Sequence, residues 1–415
     1  MKKQMLLVIA DGMGDLPLAE LDNKTPLEYA NTPHLARLAA KGLCGSVYPV
    51  TAGVPVGTDV GHLAIFGYDP HEVYNGRGPI EAYGAGIDLQ PNDIAFRGNF
   101  ATVSDEFTVL DRRAGRINED TLALTEALDG MVLSCGAEVI VKPLSAHRVA
   151  VVLRGANLSP SVTETDPGTA REGEKVQQSR ATTDSEEAVL TAAAINELCE
   201  KMYAKLSLHP INAERVRNGK PAANMILLRG IGTAKKLDTV VDKYNVKAGC
   251  VAGDRTVLGI ARMAGLDTYH EESFTAGFDT NYIGKADAAL KMIHSNYEWV
   301  VLHVKAPDLA GHDNLAKEKV RTAEKIDSMI GYMLEQIDQD QCYFSFTSDH
   351  STPCSKRDHS GHPVPTLLAG SDTIPSHVEN FGERYVQTGS LQNLVANDFF
   401  KIQMDYLGKV KKLGA

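Results

Sequence analysis

Three apolar runs in this chain each end in an aspartate. "QMLLVIAD" closes on Asp11, "WVVLHVKAPD" on Asp308 and "CYFSFTSDH" on Asp349 with His350 behind it. A continuous apolar run without polar alternation suits a strand covered on both faces, as in a parallel sheet between helical layers. In such open sheets functional groups collect outside the carboxyl ends of the strands. The runs therefore predict one sheet edge at which Asp11, Asp308 and Asp349 converge from distant parts of the chain. Helices fit between them. "NTPHLARLAAKG" reads as one, with Thr32 at the N-cap, Pro33 at the first helical position, a stripe of Leu35, Leu38 and Ala39, and a stop at Gly42. "NLAKEKVRTAEKIDSMIGYMLEQI" has helical period with acid–base pairs at helical spacing.

The middle of the chain reads differently. From about Arg97 to Gly230 come candidate strands ("HRVAVVLRG", "NMILLRGIG"), a polar loop at 161–186 and a long helix, "SEEAVLTAAAINELCEKMYAKL". This pattern predicts a smaller α+β domain inserted into an α/β core: residues 1–96 and 235–415 for the core, 97–234 for the insertion. With 415 residues there is material for both. A net charge of −11 argues against nucleic acid or an anionic membrane as partner, but not against a phosphorylated small ligand in a locally positive pocket. No run approaches the roughly 20 apolar residues of a membrane span. The six scattered cysteines read as reduced thiols, so the expected location is the cytoplasm. Nothing in the sequence fixes an oligomeric state.

Ligand-type side chains gather near the three aspartates. "APDLAGHD" sets Asp308 and His312 four apart, on one face if helical; "TSDHS" sets Asp349 beside His350; "RDHSGHPVP" adds His359 and His362. Imidazole with carboxylate suits Mn, Zn or Fe better than Ca or Mg. So many ligands exceed the needs of one tetrahedral ion and suit two, which together can clamp the oxygens of a phosphoryl transfer. Such a site needs a nucleophile. "VPVGTDVGHLAIFGYDP" offers Thr58, behind Gly57 and at the start of a helical turn. A turn with an ordinary Thr N-cap would look the same. A hydroxyl at a helix N-terminus beside a cation also loses its proton more readily, and its field favours anions.

Taken in order, "IADGMGD", "GTDVGHLAIFGYDP", "NGRGPIEAYGAGI", "DIAFRGNFATV", "DRRAGRI", "TETDP", "HVKAPDLAGHD", "TSDHSTP" and "HSGHPVP" give the chain a resemblance. It resembles the archaeal-type 2,3-bisphosphoglycerate-independent phosphoglycerate mutases of the alkaline phosphatase superfamily, over nearly its whole length. The resemblance implies an alkaline-phosphatase-like three-layer core with a mainly parallel sheet, plus the inserted domain. It implies two divalent ions (Mn, Zn, Co or Mg): one held by Asp308, His312 and His359, the other by Asp11, Asp349 and His350 with the Thr58 oxygen nearby. His362 is then a neighbour. The implied reaction interconverts 3- and 2-phosphoglycerate through a phosphothreonine at Thr58, where the family usually has serine. The substrate, a small phosphorylated hydroxy acid, needs cations; Arg97, Arg148, Arg229 and Lys247 are the candidates, with Asp166 of "TETDP" as a possible acid or base. An alternative on the same scaffold is another metal-dependent phosphotransferase or phosphatase, such as a homoserine-kinase-like branch.

Overall fold

The computed structural model describes residues 3–168, 172–235 and 237–414; of the polar loop, 169–171 lie outside these. Its strands are β1 (Gln4–Ala10), β2 (Leu43–Tyr48), β3 (Ile94–Val103), β4 (Val109–Asp111), β5 (Met131–Val132), β6 (Glu138–Pro143), β7 (Arg148–Arg154), β8 (Met225–Thr233), β9 (Ala248–Val251), β10 (Asp267–Tyr269), β11 (Trp299–Val304), β12 (Cys342–Thr347), β13 (Val364–Ala369) and β14 (Gln392–Val395). The helices that position the site are α1 (Pro33–Lys41), α2 (Thr58–Ile65), α3 (Arg77–Gly84), α4 (Glu186–Ser207), α5 (Arg255–Met263), α6 (Tyr282–His294), α7 (Ala306–His312), α8 (Ala316–Leu334) and α9 (Ala396–Tyr406).

The chain forms two units, Met1–Val73 with Leu237–Ala415, and Tyr74–Lys236. In the first, eight strands run in the order β10-β9-β11-β1-β12-β13-β2-β14. Among them β13 alone runs against its neighbours; the other pairings are parallel. β1 lies between β11 and β12, with Leu7 beside Val301 on one side and Ser345 on the other. That explains the missing polar alternation: Met5 to Ala10 are all buried, because both faces are covered. Leu6, Val8 and Ala10 join one core with Leu35 of α1, Leu290 of α6 and Ile326 and Ile330 of α8. On the other face Trp299 meets Phe66 and Phe400 edge-on, with centroids 5.6 and 5.3 Å away, beneath α2 and α9. Three layers result. Each fully buried Leu or Ile side chain is worth about 1.5–3 kcal/mol. Thr32 sits at the N-cap of α1, but its side chain does not cap the helix; Asp327 of α8 does, accepting from His34 N at 3.2 Å and Leu35 N at 2.8 Å.

The second unit is an antiparallel sheet in the order β4-β3-β7-β6-β5, with β8 also paired to β3. α4 covers one face, packing Ile195, Leu198 and Met202 on Phe96, Phe100 and Val151. On the other face Ala82 of α3 meets Ala95, Ala150 and Val152. α3 presses so closely that a Cβ at Gly78 would lie 2.1 Å from the Ala95 carbonyl oxygen. This contact is why the unit begins at Tyr74, ahead of the 96/97 boundary read from the sequence. Among the described residues no helix is long and apolar enough to cross a membrane.

Candidate active site and metal centre

β11, β1 and β12 end side by side, and the residues that follow them form one cluster. Asp11 follows β1, Lys305 and Asp308 follow β11, and Asp349 and His350 follow β12. Asp308 lies in the first turn of α7 and His312 at its end, so one turn brings His312 Nε2 to 3.5 Å from Asp308 Oδ1. His359 Nε2 completes a triangle, 3.4 Å from Asp308 Oδ1 and 3.1 Å from His312 Nε2. A second group centres on His350 Nε2, which is 3.6 Å from Asp11 Oδ1, 3.3 Å from Asp349 Oδ2 and 3.3 Å from Thr58 Oγ1. Asp11, Asp308, Asp349, His350 and Thr58 are all buried.

Hydrogen bonds fix which ring atoms face inward. His312 Nδ1 lies 3.0 Å from the Arg357 carbonyl and His359 Nδ1 lies 2.7 Å from the Val56 carbonyl. Carbonyls only accept, so each Nδ1 carries the hydrogen and the Nε2 lone pairs converge. Lone pairs 3.1 Å apart repel unless a cation lies between them. Tetrahedral ligands bound at metal–nitrogen distances near 2.05 Å would stand roughly 3.3 Å apart, and the triangle matches. In the second group Asp349 Oδ1 accepts from Gly12 N and His350 N, both at 3.1 Å. Its buried Oδ2 has His62 Nδ1 and His350 Nε2 each 3.3 Å away, but His62 Nδ1 spends its hydrogen on the Thr58 carbonyl, so Oδ2 makes no well-aligned hydrogen bond among the described residues. Burial pushes the His350 imidazole down to about 3, so it stays neutral, the form that coordinates metals. Burial, and then the Asp349 charge, hold the Asp11 carboxyl well above its ordinary range. For Asp308 burial is again the largest influence and works in the same sense, but the Lys305 ammonium, the His359 hydrogen bond and the His350 ring together outweigh it, and the carboxyl falls well below that range. The donor set fits a divalent cation: Asp308, His350 and His359 form one candidate group and Asp11, Asp349 and His350 another, with His350 common to both and His312 beside the first.

Thr58 opens α2 as its first helical residue. Gly57 holds the N-cap and no side chain caps there, so the Thr58 hydroxyl is not spent on capping. It accepts from Lys305 Nζ at 3.0 Å. That ammonium also reaches Asp11 Oδ1 at 2.9 Å and Asp308 Oδ2 at 2.8 Å, bridging the two groups of ligand atoms. The Thr58 carbonyl accepts from His62 Nδ1 at 2.8 Å, one turn along α2.

The second unit holds the opposite kind of cluster. Arg97 on β3 stands directly across from Arg229 on β8, and Arg148 on β7 across from Asn99. Burial, and then the charges of Arg77, Arg148 and Arg229, bring the Arg97 guanidinium down to about 9 against the pull of Glu81. His147 is pushed to about 4 by burial and by Arg148, Arg113, Arg97 and Arg229. Asp166 is held in a two-pronged pair by Arg112, at 3.0 and 2.5 Å, and stands 3.9 Å from Arg229 Nε. The buried Asn99 Oδ1 and His147 Nδ1 have no hydrogen-bond partner among the described residues.

A sequence model of the 2,3-bisphosphoglycerate-independent phosphoglycerate mutases matches residues 39–212. Proteins carrying that name in Methanocaldococcus jannaschii and Thermococcus kodakarensis are each 42% identical to this chain, covering all of both sequences. The chain belongs to the 2,3-bisphosphoglycerate-independent phosphoglycerate mutase family. The solved structure of a Pyrococcus horikoshii protein aligns with a TM-score of 0.86 at 36% identity over all of both chains. The cofactor-independent phosphoglycerate mutase of Thermoplasma acidophilum aligns with a TM-score of 0.74 at 31% identity, over 98% of this chain and all of its own.

Within this family member, the first unit brings Asp11, Thr58, Asp308, His312, Asp349, His350 and His359 together. His362 turns its Nδ1 to Ser360 Oγ at 2.9 Å. Arg97, Arg148, Arg229 and Asp166 gather in the second unit. Lys247 joins neither group. It precedes β9, at the amino end of the strand, where it lines a cavity of about 580 Å³ with Tyr269 and Asp287, and its Nζ sits 4.1 Å from the centre of the Tyr297 ring. The sequence reading missed four participants. Lys305 carried a signal, a cation between an apolar run and Asp308. His62 carried one too, four residues after Thr58. His303, whose Nε2 is 2.8 Å from Asp11 Oδ2, is hidden inside an apolar run. Thr352, whose hydroxyl reaches Asp308 Oδ1 at 2.7 Å, carried no signal beyond its place in "TSDHSTP".

Proposed function

We propose that this chain interconverts 3-phosphoglycerate and 2-phosphoglycerate without free 2,3-bisphosphoglycerate, through a phosphothreonine at Thr58 and two divalent ions. The observation that carries the reading is the uncapped, buried Thr58 hydroxyl beside His350 Nε2 and the Lys305 ammonium. Asp308, His312 and His359 would hold one ion; Asp11, Asp349 and His350, with the Thr58 oxygen, the other. Ions there (Mn or Zn by ligand chemistry, with Mg less suited) would supply positive charge to the phosphoryl oxygens during transfer. Thr58 Oγ attacks phosphorus: the Thr58 O–P bond forms, the bond from phosphorus to O3 breaks, and O3 leaves as a hydroxyl carrying the proton that Thr58 gives up. The glycerate 2-oxygen then attacks phosphorus, the Thr58 O–P bond breaks and Thr58 regains a proton. Lys305 Nζ donates to the Thr58 oxygen in both directions and steadies its alkoxide character. Arg97, Arg148 and Arg229 are assigned to the anionic groups of the substrate, with Asp166 holding Arg112 and Arg229 in place.

The six cysteines are unpaired, in keeping with a reducing cytoplasm. Threonine in place of the usual serine favours a second reading, a phosphotransferase or phosphatase of the homoserine-kinase-like kind. The test is a coupled assay of 3-phosphoglycerate without added 2,3-bisphosphoglycerate, with Mn²⁺ and then with excess chelator. Chelator-sensitive formation of 2-phosphoglycerate is expected, with phosphate on the Thr58 peptide in quenched enzyme. Steady release of inorganic phosphate without 2-phosphoglycerate would replace the mutase by the second reading.

A further inference from the structure

One buried hydroxyl joins the two groups of ligand atoms. Thr352 Oγ1 donates to Asp308 Oδ1 at 2.7 Å and lies 3.0 Å from His350 Nδ1. The other oxygen of Asp308 accepts from the Lys305 ammonium, and a carboxylate so paired only accepts. Thr352 must therefore spend its one hydrogen on Asp308, and its oxygen is left to accept from His350 Nδ1–H. That fixes the His350 tautomer with the Nε2 lone pair toward Asp11, Asp349 and Thr58.

The surroundings are shaped for this. Thr352 is fully buried, and its backbone is tied at both ends, by Thr352 N to the Gly14 carbonyl at 3.0 Å and by Lys319 Nζ to the Thr352 carbonyl at 2.9 Å. Gly12 has φ +62°, and a Cβ there would lie 2.6 Å from Thr352 Oγ1 and 2.7 Å from Asp308 Oδ1. A Cβ at Gly311 would lie 2.8 Å from the Thr352 methyl carbon. Glycines on two sides leave room for this side chain and for little else.

We propose that Thr352 is a positioning residue that couples the two ion sites: its hydroxyl sets the tautomer of His350 in one and the carboxylate of Asp308 in the other. The proposal rests on the two-ion reading above. Outer partners of metal-binding histidines act in this way, and losing them commonly weakens binding about ten- to a hundredfold. The experiment titrates metal-free protein with Mn²⁺ by calorimetry, comparing the unchanged chain with Thr352→Val and Thr352→Ser. Valine keeps the shape and removes both hydrogen bonds; serine keeps the hydroxyl. Expected are about ten- to a hundredfold weaker Mn²⁺ binding in T352V and near-native binding in T352S. Nitrogen-15 spectra of the metal-free, unchanged protein should show His350 with its hydrogen on Nδ1. Native Mn²⁺ affinity in T352V overturns the proposal, as does T352S falling with T352V or a His350 hydrogen on Nε2. No Mn²⁺ uptake by the unchanged chain, with that Nδ1 tautomer intact, overturns the two-ion reading and the coupling together.

Discussion

At the ends of β11, β1 and β12, Asp11, Asp308 and Asp349 crowd around the Lys305 ammonium, with three imidazole lone pairs aimed into the same space. On β3, β7 and β8 of the other unit, Arg97, Arg148 and Arg229 crowd around a neutral histidine. Each cluster is unbalanced, and in opposite senses. Neither is a stability device: like charges brought together and desolvated cost free energy in the folded protein. Under the proposed reaction each would serve as a socket, one for cations and one for anions. The difference lies in how the imbalance is held. The first is locked by hydrogen bonds to backbone carbonyls and amides, the preorganisation that metal geometry demands. The second leaves Asn99 Oδ1 and His147 Nδ1 unpartnered among the described residues, as suits a ligand that brings its own donors and acceptors.

The heaviest blow to the first socket would be the loss of the nucleophile proposed for it. Thr58→Ala should lower mutase turnover by at least about 10⁴-fold, while Thr58→Ser retains it. The coupled assay reads both, and a Thr58→Ala enzyme with native turnover would end the covalent reading. Next comes the metal. Stripping with chelator should abolish turnover, and returning Mn²⁺ at about 100 times its Kd should stabilise the fold by about 2.7 kcal/mol per site, seen as a rise in Tm. Asp11→Asn should cancel much of that rise without lowering the Tm of the metal-free protein, because burial and Asp349 already oppose charge on Asp11. A large fall in metal-free Tm would mean that Asp11 serves the fold instead.

The sequence carried the first socket further than the second. Its strands are buried on both faces, so their apolar runs stood out, and the aspartates marking their ends are chemically distinctive. Asp308 and His312 could be placed together because one helical turn separates them. His303 could not be found that way: inside a buried strand its role depends on a neighbour 292 positions away. Thr352 is invisible for a similar reason, since one of its partners, Asp308, stands 44 positions away on α7. In the second unit Arg97 and Arg229 were legible as cations, but their pairing rests on a strand register that the sequence does not display. Lys247 shows the limit from the other side. A lysine before a strand and one after it look alike in sequence, yet they stand at opposite ends of the sheet. The early start of the second unit follows from α3, whose affiliation is decided by the close approach at Gly78.

The second socket responds more gently. Arg97→Met removes one cation from a group that already disfavours it, so Tm should stay level or rise slightly. KM for phosphoglycerate should climb about ten- to a hundredfold, the worth of a charge-assisted hydrogen bond, with kcat changing less. A fall in Tm with an unchanged KM would make Arg97 a structural residue and empty the comparison of its second half.

The smallest effect is the most diagnostic. The folded His147 titrates near 4 against an ordinary value of 6.5. Between those values the unfolded chain binds a proton there that the folded chain does not. Stability from this group is therefore complete above about pH 6.5, declines as pH falls toward 4, and declines no further below it. His147 is only half-buried, so the loss is modest. An anion seated among the arginines would cancel the charges that hold this histidine neutral. Proton NMR of His147 should then show its pKa moving up on addition of phosphoglycerate, and Arg229→Met, which already relieves part of the repulsion, should show a smaller rise with the same ligand. A His147 pKa that ignores phosphoglycerate would mean the arginines repel one another for some purpose other than this substrate.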